Sequence, residues 1–123
     1  MRYGASTFIW VSPFSNKTLD LVDRIKEFGF DLIEICIEDP GTIDPSAIRA
    51  RATRVGLGVT VCGAFGPERD LSSEDEAVRT AGTSYLRRCI DLAQDLGSPF
   101  VSGPMYAAVG NTRLLPDDAR RAQ

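Results

Sequence analysis

Residues 31–38 read Asp-Leu-Ile-Glu-Ile-Cys-Ile-Glu (DLIEICIE), and the alternation within them decides the fold. In an extended chain Ile33, Ile35 and Ile37 leave one face, and Glu34, Cys36 and Glu38 leave the other. An open doubly wound sheet is covered by helices on both sides, so its central strands are apolar on both faces. In a closed barrel one face looks inward, and polar groups near its C-terminal rim can serve a site. The polar face of 31–38 favours the barrel, although an edge strand of an open sheet also tolerates one.

Working outward, Leu21, Val22, Ile25 and Phe28 recur at helical steps over 17–28, with Asn16 as the expected N-cap and Gly29 as the stop. Tyr3 to Trp10 (YGASTFIW) is aromatic and β-branched, which predicts the first strand. Downstream, Asp44-Pro45 opens a helix closed by Gly56, and Leu57 to Cys62 is a third strand. Ser73 and Glu76 form the capping-box pattern of a long helix ending at Gly97, and a fourth strand runs from Pro99 to Ser102. Pro116 is expected to open one more helical turn. EFGFDLIEI, RVGLGVTVC and DLGSPFVSG share one grammar: helix end, glycine, strand. The expected fold is therefore α/β with four parallel strands and three to four helices, either a small open sheet or the first half of an eight-stranded barrel.

Composition narrows the chemistry. The 123 residues are 43% hydrophobic and 25% charged with net charge −3, as in an ordinary soluble domain, and the scattered basic residues give no grip on nucleic acid or anionic lipid. No run is long enough for a membrane helix and no signal peptide is visible. Cys36, Cys62 and Cys89 show no CxxC spacing, which suggests reduced thiols and a cytoplasmic location. Histidine is absent, so Ser-His-Asp and Cys-His catalysis are excluded within this chain, and no GxGxxG or GxxxxGK[ST] motif supports nucleotide binding. Cys62 reads as strand packing rather than a nucleophile, because no base is available to ionise it. Glu38, at a strand end, is either a substrate acceptor or a solvated acid. Glu34, deeper on the same face, reads as a buried carboxylate that needs a partner. Phe8, Trp10 and Phe14 could add an aromatic wall beside the loops Phe65-Gly66-Pro67 and Gly103-Pro104-Met105-Tyr106, or cap the core.

YGASTFIW, GFDLIEI, VCGAFGPERDLSSEDEAVR and SPFVSGPMY, in that order along nearly the whole chain, resemble the N-terminal half of the ketose 3-epimerases. These are the tagatose/allulose type within the xylose-isomerase-like barrels of sugar isomerases and epimerases. The resemblance implies a partial TIM (β/α)8 barrel over residues 1–123 with no second domain. It also implies a full-length enzyme that epimerises a free ketose at C3 through a metal-held enediolate and works as a homo-oligomer. The family ion, Mn, Co or Mg, is held by two glutamates, an aspartate and a histidine of the later strands. None of these four can be placed on this chain, so it is expected to bind no catalytic metal, to have no catalytic residue and to be inactive alone.

Part of the substrate pocket does carry over. Ser6 stands where relatives often have a tyrosine near the sugar, and Phe14 where many have a tryptophan of the first loop. Phe65 and Met105 match apolar pocket positions, and Val109 falls where another tryptophan is common. No family role transfers to Glu38. Alternatives are a hydroxypyruvate or inosose isomerase of the same superfamily, or a small non-catalytic α/β binding domain. Apolar strand edges left open in a half barrel are expected to favour self-association.

Overall fold

The computed structural model describes residues 1–111. Its strands are β1 (Gly4–Ser6), β2 (Leu32–Ile37), β3 (Gly58–Gly63) and β4 (Val101–Ser102), and its helices α1 (Asp20–Glu27), α2 (Pro45–Val55) and α3 (Glu76–Leu96). The strands are all parallel and lie side by side in the order β1-β2-β3-β4. Each right-handed crossover therefore moves one strand further in the same direction, and the helices accumulate on one side of the sheet. A doubly wound sheet would reverse direction at a switch point. This one does not, and the order is that of a barrel wall.

Register explains which face each side chain takes. Ile33 pairs with Val59 and Ile35 with Val61. These four residues and Ile37 are buried against Leu21, Val22 and Ile25 of α1, Ile48 and Ala52 of α2, and Cys89, Leu92 and Leu96 of α3. The opposite, inner face carries Leu32 between Gly4 and Gly58 at its foot and, toward the C-terminal ends, the polar or sulfur-bearing Ser6, Glu34, Cys36, Thr60, Cys62 and Ser102. The unlike faces read in residues 31–38 are thus the helix-covered and inner faces of one wall.

Four expected boundaries move. The first strand stops at Ser6 rather than Trp10, and Thr7–Ile9 forms a 3-10 turn. The cause is Thr7: its hydroxyl accepts from the Cys36 amide at 3.1 Å, replacing a ladder bond with a side-chain one. Its carbonyl meanwhile accepts from Trp10 and Val11. The cap expected at Asn16 is Ser15, which forms a reciprocal capping box with Thr18 ahead of α1, while Asn16 Oδ1 accepts from the Asp44 amide at 2.7 Å. The Ser73/Glu76 capping box does not form. Asp75, two residues further on, caps α3 through the Ala77 amide at 2.8 Å, and Ser73 Oγ accepts from the Asp75 amide. The fourth strand is only Val101–Ser102. The turn expected at Pro116 lies outside the described residues. Gly56 and Gly97 end their helices at φ +68° and +76°, as expected of C-terminal glycines.

Candidate functional site

The C-terminal ends of the strands gather four connections: the turn after Ser6, the turn after Ile37, and the loops beginning at Ala64 and Gly103. Tyr85 of α3 joins two of them. Its hydroxyl donates to the Ile37 carbonyl and accepts from the Ala64 amide at 3.0 Å. Burial pushes the phenol well above its ordinary pKa, so the donor is kept. Arg69 lies 4.1 Å over the Tyr85 ring and donates to the Ala64 carbonyl at 3.1 Å.

The two longer loops are laced together outside the sheet. The Phe65 amide donates to the Pro104 carbonyl at 3.2 Å, and the Val109 amide donates to the Phe65 carbonyl at 2.9 Å. Asp70, 4% exposed, binds the Ser72 amide and hydroxyl through one oxygen and Asn111 Nδ2 through the other. The Ser72 hydroxyl is the main reason its pKa falls to about 2, with the backbone amides and Asn111 adding to it against burial. The folded pKa lies below the ordinary value near 3.8, so this stabilisation is full above about pH 4 and is lost as pH falls toward about 2. In Asp70→Asn, the acid limb of a stability-versus-pH curve is expected to flatten between those values. An unchanged limb would show that Asp70 does not hold the loops.

The expected pocket residues fall into separate groups. Phe65 and Met105 both pack beside Tyr85 of α3: Phe65 is buried edge-on to its ring at 6.1 Å, and the Met105 thioether covers Gly63, 2.6 Å from where a Cβ would stand and on the side of the Tyr85 hydroxyl and Cys89. Val109, on the same laced loop, is exposed. Ser6 stands apart from these on the inner face, its hydroxyl 3.2 Å from Cys36 Sγ. Phe14 is completely buried in the core. The aromatic wall does not assemble, because Trp10 stacks on Phe28, the C-cap of α1, at 6.0 Å. Glu38 follows β2 as expected. Its Oε1 accepts from Ser12 Oγ at 2.7 Å, and its Oε2 is buried without a hydrogen-bond partner among the described residues.

Sequence reasoning missed a second grouping. Glu34, Cys36 and Cys62 converge on the inner face, with a carboxylate oxygen and both sulfurs within 4.8 Å of one another. The Cys62 thiol donates to the Gly63 carbonyl at 3.7 Å, and its closeness to Cys36 is the main reason that the Cys36 thiol is lowered and the Cys62 thiol raised. The partner expected for Glu34 is Ser102, whose one hydroxyl proton is shared between the Val61 carbonyl at 3.3 Å and Glu34 Oε2 at 3.5 Å. The available signal was positional: Cys36 and Cys62 are each the fifth residue of a six-residue strand.

The oxygen and nitrogen donors implied for the family ion do not fit this chain. It has no histidine, and the acid at the mouth, Glu38, is engaged by Ser12.

Comparison with known proteins agrees with this architecture. Residues 22–122 match the xylose isomerase-like TIM barrel family. The chain is 33% identical over 110 residues to an L-ribulose 3-epimerase of Mesorhizobium japonicum, covering 89% of this chain and 37% of that protein. It is 30% identical over the same length to a ketose 3-epimerase of Arthrobacter globiformis, covering 38% of it. A solved L-ribulose 3-epimerase superposes with TM-score 0.82 at 32% identity, over 94% of this chain and 39% of that one. A D-allulose 3-epimerase of Methylomonas shares the fold at TM-score 0.87 and 24% identity. The chain thus spans about two-fifths of the length of the relatives it matches. Among the described residues no helix is long and apolar enough to cross a membrane.

Proposed function

The chain belongs to the xylose isomerase-like TIM barrel family, and from that premise we propose that residues 1–123 are the N-terminal portion of a cytoplasmic, homo-oligomeric ketose 3-epimerase, forming one domain with what completes the barrel. The observation that carries this is the conjunction of barrel strand order with about one-third identity to an L-ribulose 3-epimerase over nearly the whole chain. In this reading the chain supplies one wall of the sugar pocket. Ser6 stands on the inner face of the first strand and Glu38 Oε2 is an acceptor for a sugar hydroxyl, while Phe14, Phe65 and Met105 back this wall from the packed side and hold its loops. Proton removal and return at C3 belong to residues outside this chain, which on its own turns over nothing.

A free ketose suits the mouth better than a sugar phosphate. The cation of these loops among the described residues is Arg69, and it is committed to the Ala64 carbonyl, the Tyr85 ring and Glu68. A phosphate would have to draw it away.

The test is a chimera in which residues 1–111 replace the matching N-terminal region of the Mesorhizobium L-ribulose 3-epimerase. It is expected to fold and to epimerise free ketoses in the presence of Mn²⁺, with Glu38→Gln raising KM more than it lowers kcat. A folded chimera that acts on inososes or hydroxypyruvate but on no ketose would move the assignment to another isomerase of the superfamily. A folded chimera with no isomerase activity would overturn it.

A further inference from the structure

The Glu34–Cys36–Cys62 cluster follows from strand geometry. Cys36 lies opposite Cys62 in the β2–β3 ladder, so both side chains leave the same face. Glu34, two residues earlier on β2, leaves that face too. Two positions of one strand and a register partner on the next give three donors aimed at one point. They lie within 4.8 Å of one another. Zinc–sulfur bonds of about 2.3 Å and zinc–oxygen bonds of about 2.0–2.2 Å set tetrahedral donors a little under about 4 Å apart, so small side-chain rotations close the set.

The surroundings are those of a supported donor set rather than of apolar packing. Ser6 Oγ is 3.2 Å from Cys36 Sγ, Thr7 fixes the Cys36 amide, and Ser102 Oγ shares its proton between Glu34 and the Val61 carbonyl. Such partners orient metal ligands and tune their donor strength. Both cysteines are free and nearly inaccessible, at 1% and 7% exposure. Cys89 provides the contrast: it packs on the helix-covered face beside Leu92 and Ala93, with no carboxylate among its partners in the described residues.

We propose that Glu34, Cys36 and Cys62 form a site for a soft or borderline divalent cation of the zinc, cobalt(II) or cadmium class, with three donors from the chain and the fourth position open. Two sulfurs exclude magnesium and calcium in favour of thiophilic ions. On ligation each coordinating thiol releases its proton to solvent. The site is separate from the oxygen–nitrogen set of the family ion, so it stands or falls independently of the epimerase reading.

The experiment uses the 123-residue chain, stripped with chelator and kept under inert gas with a phosphine reductant, titrated with Co²⁺ and then Zn²⁺. Expected is a thiolate-to-cobalt charge-transfer band that saturates at one ion per chain and is bleached by Zn²⁺. Cys36→Ser and Cys62→Ser should each weaken binding by more than tenfold and diminish the band. Glu34→Gln should weaken binding by about tenfold while keeping the band, because both sulfurs remain. Cys89→Ser should change neither. In the unmutated chain, which needs no variant to fold, Zn²⁺ should protect Cys36 and Cys62 from alkylation and leave Cys89 unaffected. Absence of a charge-transfer band at saturating Co²⁺, a band that survives the double Cys36→Ser, Cys62→Ser change, or equal protection of all three thiols would overturn the proposal.

Discussion

Replacing Gly103 by alanine is expected to destabilise the chain by about 3–5 kcal/mol, the sum of backbone strain and overpacking. Gly103 sits at φ +119°, where L side chains are rarely found, immediately after β4. A Cβ there would stand 2.0 Å from the Gly63 carbonyl oxygen and 2.8 Å from Cys62 Sγ. The first obstacle is backbone at the end of β3, which cannot rotate aside as a side chain would. Relief requires β4 to separate from β3, and β4 pairs through only two positions, Val61 with Val101 and Cys62 with Ser102. Gly110→Ala is the control, because Gly110 also has positive φ (+82°) but, among the described residues, no atom within 4 Å of its added Cβ. It should lose only about 1–2 kcal/mol from the left-handed backbone. Denaturant unfolding of both variants decides the matter. Equal losses would show that the close approach of β3 and β4 is not what the glycine serves.

Tyr85→Phe is expected to lose about 2–4 kcal/mol, large for the removal of one oxygen. The change keeps the ring against Phe65 and under Arg69, and removes only the hydroxyl. That hydroxyl serves two backbone groups at once, the Ile37 carbonyl and the Ala64 amide, at the ends of adjacent strands. Each buried group left unpaired costs about 1–3 kcal/mol. Hydrogen exchange should locate the damage, with the Ala64 amide accelerated and the amides of α1 unchanged. A loss below about 1 kcal/mol would mean that water takes the place of the phenol.

Both residues also show what could be read from the chain alone. The strand–helix alternation, the unlike faces of 31–38 and the glycines that stop the helices were legible, because periodicity and positive-φ termini are local properties. Thr7 was not, since its β-branched side chain favours a strand until its hydroxyl takes the Cys36 amide 29 residues away. Asp75 displaced Ser73 as the cap of α3 by a contest between two good caps two residues apart, which spacing does not resolve. At the site, the meeting of Cys36 with Cys62 is a matter of strand register. Register is fixed by the packing of the whole wall, and no single segment contains it. The family pattern was silent on the sulfur pair.

The lacing of residues 64–70 to 104–111 bears on how a ligand would be received. Phe65 exchanges bonds with Pro104 and Val109, and Asp70 holds Asn111, so the two segments share one stiffness. A ligand meeting this rim would find its contour already set, with little ordering entropy to lose on arrival. Selectivity at this rim would then rest on shape.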